Sequence, residues 1–102
     1  MLFSSKAGVD PARVRQALMG GFAGSKILEV HGERMIKRTF DPGFRIALHQ
    51  KDLKLALEGA RELGLSLPNT ATTQELFNAC DRDLDHSSLV NALEALASHK
   101  IT

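Results

Sequence analysis

A chain of 102 residues, 43% hydrophobic and 25% charged, has the composition of one ordinary globular domain with a modest core. Thirteen Lys and Arg against 12 Asp and Glu leave a formal net charge of +1, which argues against strong long-range attraction to nucleic acid or to an anionic membrane. The lone cysteine, Cys80, excludes an intrachain disulfide, and no apolar run approaches the roughly 18 residues that a membrane span needs.

The opening MLFSSKAGVDP lacks the apolar stretch of a signal peptide, so the expected compartment is the cytoplasm. Leu2 and Phe3 have no cap before them, and Gly8 follows after barely one turn. That pattern predicts the last turns of a longer helix ending at a glycine C-cap, with the chain starting inside an element of a larger protein. Asp10-Pro11 is a helix start, since Asp accepts from the first amides and Pro suits the first helical position. Val14, Ala17 and Leu18 then follow at helical spacing up to Gly20-Gly21. Ser25 caps the next helix, in which Leu28, Met35 and Ile36 form an apolar stripe and Lys37 and Arg38 complement the dipole at its end.

After the Asp41-Pro42-Gly43 turn, Phe44 leads into a helix carrying His49, Gln50, Lys51 and Asp52 in its early turns. Leu53, Ala56, Leu57, Ala60 and Leu63 recur at three- and four-residue steps, which predicts an inward face closed by Gly64. LSLPNT (65–70) reads as extended. Thr72 and Glu75 have capping-box spacing for a fifth helix, with Leu76, Phe77 and Cys80 facing inward. A polar linker, DRDLDH (81–86), precedes a last helix with Leu89, Val90, Leu93, Leu96 and Ala97 on its apolar face. No strand alternation and no fixed repeat is present. The expected architecture is all-α, with about five helices and an N-terminal remnant.

Several motifs have plain explanations. GGFAGSK (20–26) carries Ser25 where a phosphate loop needs its second glycine, and a helix rather than a strand precedes it, so it reads as a helix–helix linker. Asp81, Asp83 and Asp85 alternate like half a calcium loop, but His86 and Ala92 stand where glycine and glutamate belong, which leaves a solvated linker whose Asp85 or Ser87 caps the last helix. The four histidines, His31, His49, His86 and His99, are scattered without the one-turn spacing of a helical metal site, and no metal ligand is expected. His49 alone stands out, because it lies just before Lys51. Cys80 has no activating base nearby and reads as a small core residue. A helix–turn–helix over 10–38, with Lys26, Arg34, Lys37 and Arg38 as basic contacts, is weakened by the balanced charge. By spacing alone, Lys51 and Asp52 are an exposed helical pair.

The segment FDPGFRIALHQKDLKLAL (40–57) resembles the lysine–aspartate–leucine motif of the β-hydroxyacid dehydrogenases, the family of 3-hydroxyisobutyrate dehydrogenase. The resemblance runs through residues 6–53 and continues in LPNTATTQELFNAC (67–80). It implies the all-α C-terminal domain of an enzyme with a 6-phosphogluconate-dehydrogenase-like architecture, spanning 1–102. The N-terminal Rossmann domain and the interdomain helix would lie outside this chain. It further implies reduction of a small semialdehyde by NADH or NADPH, and assembly as a homo-oligomer. Lys51 would reach the cofactor, Asp52 would order the cleft beside it, and Phe44 would line the substrate side. The family's catalytic lysine stands in a Lys-x-x-x-Asn motif that this sequence lacks, so the chain alone is expected to hold no catalytic residue, to bind no cofactor and to be inactive. A free-standing helical interaction module is the alternative.

Overall fold

Asp10 accepts a hydrogen bond from the Ala12 amide and Pro11 occupies the first turn, so α2 (Pro11–Met19) begins where its capping residues put it. Ser25 does the same for α3 (Lys26–Lys37) by accepting from the Leu28 amide at 3.0 Å. In this computed structural model, which describes residues 1–102, these two helices join α1 (Leu2–Lys6), α4 (Ile46–Glu62), α5 (Pro68–Asn78) and α6 (Val90–Ala97). A 3-10 turn (His86–Leu89) leads into α6, and there is no sheet.

Two helix ends use the same device. Gly8 (φ +89°) and Gly64 (φ +68°) adopt the left-handed conformation just past α1 and α4. The following amides, Val9 and Leu65, reach back to the Ser4 and Ala60 carbonyls, while the glycine amides bond Ser5 and Arg61. Both are Schellman closures, which satisfy carbonyls that the helix leaves without partners. The other end of α4 has no side-chain cap. Its Ile46 and Ala47 amides donate instead to the Leu84 and Arg82 carbonyls, so the 81–85 segment is the cap.

The helices pair as α2 with α3 and α4 with α5, and the pairs are bridged by the 3-10 turn against α3 and by α6 against α5. Arg15 ties α2 to α3 by donating to the Leu28 and Glu29 carbonyls. The molecule is elongated, 44 × 30 × 25 Å. Its apolar core is small and sits at the junction: Ile46, Ala60, Phe77, Val90, Ala92 and Ile101. A second junction lies at the end of α3. Arg38, itself left-handed at φ 56°, makes a two-pronged pair with Glu94 at 2.8 and 3.0 Å and also donates to Asn91. Glu94 accepts in addition from the Ile101 amide at 2.9 Å, which folds the C-terminus onto α6.

The all-α expectation holds, and four local expectations need correction. The 65–70 stretch is not extended throughout, because Pro68 opens α5 from its first position and leaves Thr72 and Glu75 inside the helix rather than at a cap. The inward face of α4 is narrower than its leucine spacing predicts, with Ala56 and Leu63 exposed. On α6, Leu93 and Leu96 face outward while Val90, Ala92 and Glu94 are buried, because the pairing of Glu94 with Arg38 sets the helix rotation. Finally, 81–86 is not simply a solvated linker: Asp85 is completely buried.

Candidate functional site

Two regions around the start of α4 contain the chemistry. The first is the buried junction at Asp85. Its Oδ1 accepts from the Gly43 and Phe44 amides at 2.9 and 3.1 Å and pairs with Arg34 Nη1 at 3.0 Å. Its Oδ2 accepts from the Ser87 amide and hydroxyl. Burial by itself would raise this carboxyl. The Ser87 hydroxyl and the three amides overcome that cost and hold it far below the ordinary carboxylate range. Arg34 also donates to the Thr39 and Asp41 carbonyls, so one ion pair fixes the Asp41-Pro42-Gly43 turn to α3 and to the 3-10 turn.

Three histidines converge beside it. His86 Nδ1 lies 3.1 Å from His49 Nδ1, and His86 Nε2 lies 3.1 Å from His31 Nε2. Phe44 packs edge-on against His86 with centroids 5.4 Å apart, and Phe77 lies 4.6 Å from the His49 ring. Burial lowers the basicity of both His49 and His86, and the His31 charge adds to the effect. A cavity of about 170 Å³ opens between these rings, Met35 and Leu89. Four sequence positions spread over 69 residues of chain gave no hint of this. The fourth, His99, is elsewhere, 3.0 Å from the Ser5 hydroxyl.

The second region is a groove of about 640 Å³ between α4 and α5, lined by Ala47, Gln50, Lys51, Lys54, Gln74, Asn78 and Arg82. Gln50 organises one side, accepting from Arg82 Nε and donating to Asn78 Oδ1, each at 3.1 Å. The lining carries three cations and no carboxylate. It offers amide and cationic donors to an anionic or hydroxyl-rich ligand.

The expected site residues are therefore divided. Lys51 lines the groove, exposed and without an ion-pair partner. Asp52 is exposed too and unpaired, and its charge acts on His49. Phe44 sits half-buried on the histidine side, not in the groove. The dipole at the start of α4 does not present free amides to a ligand, because residues 82 and 84 already bond them. Lys26, Arg34, Lys37 and Arg38, the basic residues of a nucleic-acid reading, each pair with an acidic side chain.

Gln50, Arg82, His31 and His86 carried no functional reading in the sequence. A partial signal existed for Asp85, two residues before Ser87 at capping distance.

The family described as "NAD-binding of NADP-dependent 3-hydroxyisobutyrate dehydrogenase" matches residues 1–93. The chain belongs to this family. Among 3-hydroxyisobutyrate dehydrogenase-like relatives, it is 71% identical to 2-hydroxy-3-oxopropionate reductase of Escherichia coli over 99% of its own length and 36% of that protein's. It is 37% identical to a probable mitochondrial 3-hydroxyisobutyrate dehydrogenase-like protein of Arabidopsis thaliana, covering 94% of this chain and 30% of the relative. A chloroplastic glyoxylate/succinic semialdehyde reductase of the same plant is 30% identical over 98% of this chain and 29% of the relative. The chain thus spans about a third of the length of these relatives. No helix is long and apolar enough to cross a membrane.

Proposed function

We propose that this chain is the helical C-terminal domain of a cytoplasmic NAD(P)H-dependent reductase that converts 2-hydroxy-3-oxopropionate (tartronate semialdehyde) to glycerate. The observation that carries this reading is the 71% identity to the Escherichia coli reductase across 99% of the chain. The cationic groove supports it, since Lys51, Lys54 and Arg82 line it and cations of this kind pair with anionic oxygens. The chemistry the cofactor supplies is hydride transfer to the aldehyde carbon. In this reading Lys51 holds the cofactor from the α4 side, and Asp52 orders the neighbouring surface. Phe44, just before the start of α4, shields the substrate side from water. The proton for the new hydroxyl comes from a group outside residues 1–102, so these residues alone are inactive.

Exposed apolar side chains support contact with a Rossmann domain and with further copies in a homo-oligomer. Phe3, Phe22, Leu63 and Leu96 are each more than 70% exposed. The test is oxidation of NADH and of NADPH by 2-hydroxy-3-oxopropionate, using the chain extended upstream through its native reading frame. Turnover with this semialdehyde is the expected result. Turnover only with succinic semialdehyde, or only in the reverse direction with 3-hydroxyisobutyrate and NAD⁺ or NADP⁺, would keep the family and replace the substrate. Absence of turnover with all three would sink the proposal.

A further inference from the structure

We propose that Arg82, held in place by Gln50, is a phosphate contact of the groove between α4 and α5, gripping two phosphate oxygens through the outer edge of its guanidinium. For the ligand's identity, a nicotinamide dinucleotide, this rests on the function proposed above. For the contact itself it rests on geometry.

Arg82 is anchored at its backbone and again at the near edge of its guanidinium. Its carbonyl accepts from the Ala47 amide at 3.0 Å, which fixes the backbone against the first turn of α4. Its Nε donates to Gln50 Oε1 at 3.1 Å. Gln50 is itself immobilised, because its Nε2 donates to Asn78 Oδ1 at 3.1 Å and to the Phe77 carbonyl at 3.4 Å. Only one orientation of this amide satisfies both sides, since the Arg82 Nε–H can only donate and a carbonyl can only accept. The relay thus joins α5, α4 and the 81–85 segment, and all three fix where the guanidinium stands.

The donors left over are chemically specific. A guanidinium has five N–H groups, and the bond to Gln50 takes one. The four on Nη1 and Nη2 have no hydrogen-bond or ion-pair partner within the chain. These two nitrogens form a fork whose parallel N–H bonds match two oxygens of a phosphate. The neighbouring carboxylates do not fill it: Asp83 lies 4.0 Å from Arg45, and Asp81 accepts from the Asp83 amide. Lys51 and Lys54 line the same groove, and Lys54 has only the exposed Glu58 at 3.8 Å. Three positive charges around one groove suit the two negative charges of a diphosphate better than the single charge of a carboxylate. An arginine already held through Nε also loses less freedom on binding than a loose one.

Inorganic pyrophosphate, titrated into the full 102-residue chain and followed by NMR, tests the contact without requiring turnover. The Arg82 Nε–H and Gln50 side-chain amide signals should move together and saturate. Arg82→Ala should weaken binding at least about fivefold, and Arg82→Lys, which keeps the charge and loses the fork, nearly as much. Arg82 is exposed, so neither substitution disturbs the core. Shifts confined to Lys51 and Lys54, or wild-type affinity in either variant, would overturn the contact. The upstream-extended enzyme tests its use. There Arg82→Ala and Gln50→Leu should each raise the KM for NADH or NADPH at least about threefold and leave kcat within about twofold, the pattern of lost uniform binding. A fall in kcat alone in Gln50→Leu would refute its positioning role. Turnover of 2-hydroxy-3-oxopropionate with an unchanged cofactor KM in Arg82→Ala refutes this inference and spares the proposed function. No turnover with any semialdehyde, beside pyrophosphate binding that depends on Arg82, removes the proposed function and upholds the phosphate contact.

Discussion

The Asp85 junction and the Lys51 groove both lie near the start of α4 and treat charge in opposite ways. Asp85 is sealed from solvent, and five donors fill its oxygens. Lys51 stands in an open groove with no ion-pair partner within 4.0 Å. A buried charge with every valence met holds a fold together, because removing it strands its partners. An exposed charge without a partner contributes little to stability and stays available for a ligand. Residues 43 and 44 thus donate to a structural anchor, while Lys51, a turn or two further on, carries the unpaired cation that the proposed function assigns to the cofactor.

The comparison is broken most severely by Asp85→Ala. It leaves Arg34 and four further donors without an acceptor, and denaturant unfolding should show a loss of about 3–5 kcal/mol. A loss under about 1 kcal/mol would mean that the junction is not the anchor. Glu94→Gln should remove about 1.5–3 kcal/mol, because the charged acceptor for Arg38 and for the Ile101 amide is weakened.

Acid sharpens the same point. Burial alone would raise the Glu94 carboxyl, but the Arg38 hydrogen bonds and the Ile101 amide bring it below its ordinary value. The folded state therefore holds this proton less tightly than the unfolded chain does. Its stabilisation is complete above the unfolded value of about 4.3 and is lost as pH falls through the lower folded value. The wild type should lose more stability than Glu94→Gln over that acidic window, measured by unfolding at successive pH values. Parallel curves would remove Glu94 from the account.

Smallest on stability is Lys51→Ala, which should move the unfolding free energy by no more than about 0.5 kcal/mol. In the upstream-extended enzyme the same change should lower kcat/KM at least about tenfold, equivalent to 1.4 kcal/mol. If unfolding shifts and turnover does not, the roles of the two regions have been exchanged.

Helix starts at Asp10-Pro11 and Ser25, and closures at Gly8 and Gly64, were legible because each is a local transaction between neighbours in sequence. Lys51 was named through its motif, and its part in cofactor binding is the proposal made above. What escaped depends on partners far along the chain. Asp85 meets Gly43 and Arg34 across more than 40 residues, and His86 meets His31 across 55. Hydropathy pointed the wrong way on α6, where a buried glutamate outcompeted two leucines for the interior. An ion pair that settles a helix's rotation has no periodic signature, since it involves one residue per helix.

The way α4 begins has a kinetic corollary. Its Ile46 and Ala47 amides are protected by carbonyls of residues 84 and 82 rather than by a local side chain. Amide hydrogen exchange at these two positions then reports on detachment of the 81–85 segment, a partial opening that need not melt the helix. The two amides should exchange in step with the Asp85 and His86 amides, which bond back to Phe40 and Phe44. Residues 40–47 and 81–86, remote in sequence, would then form one cooperative unit that opens and closes together.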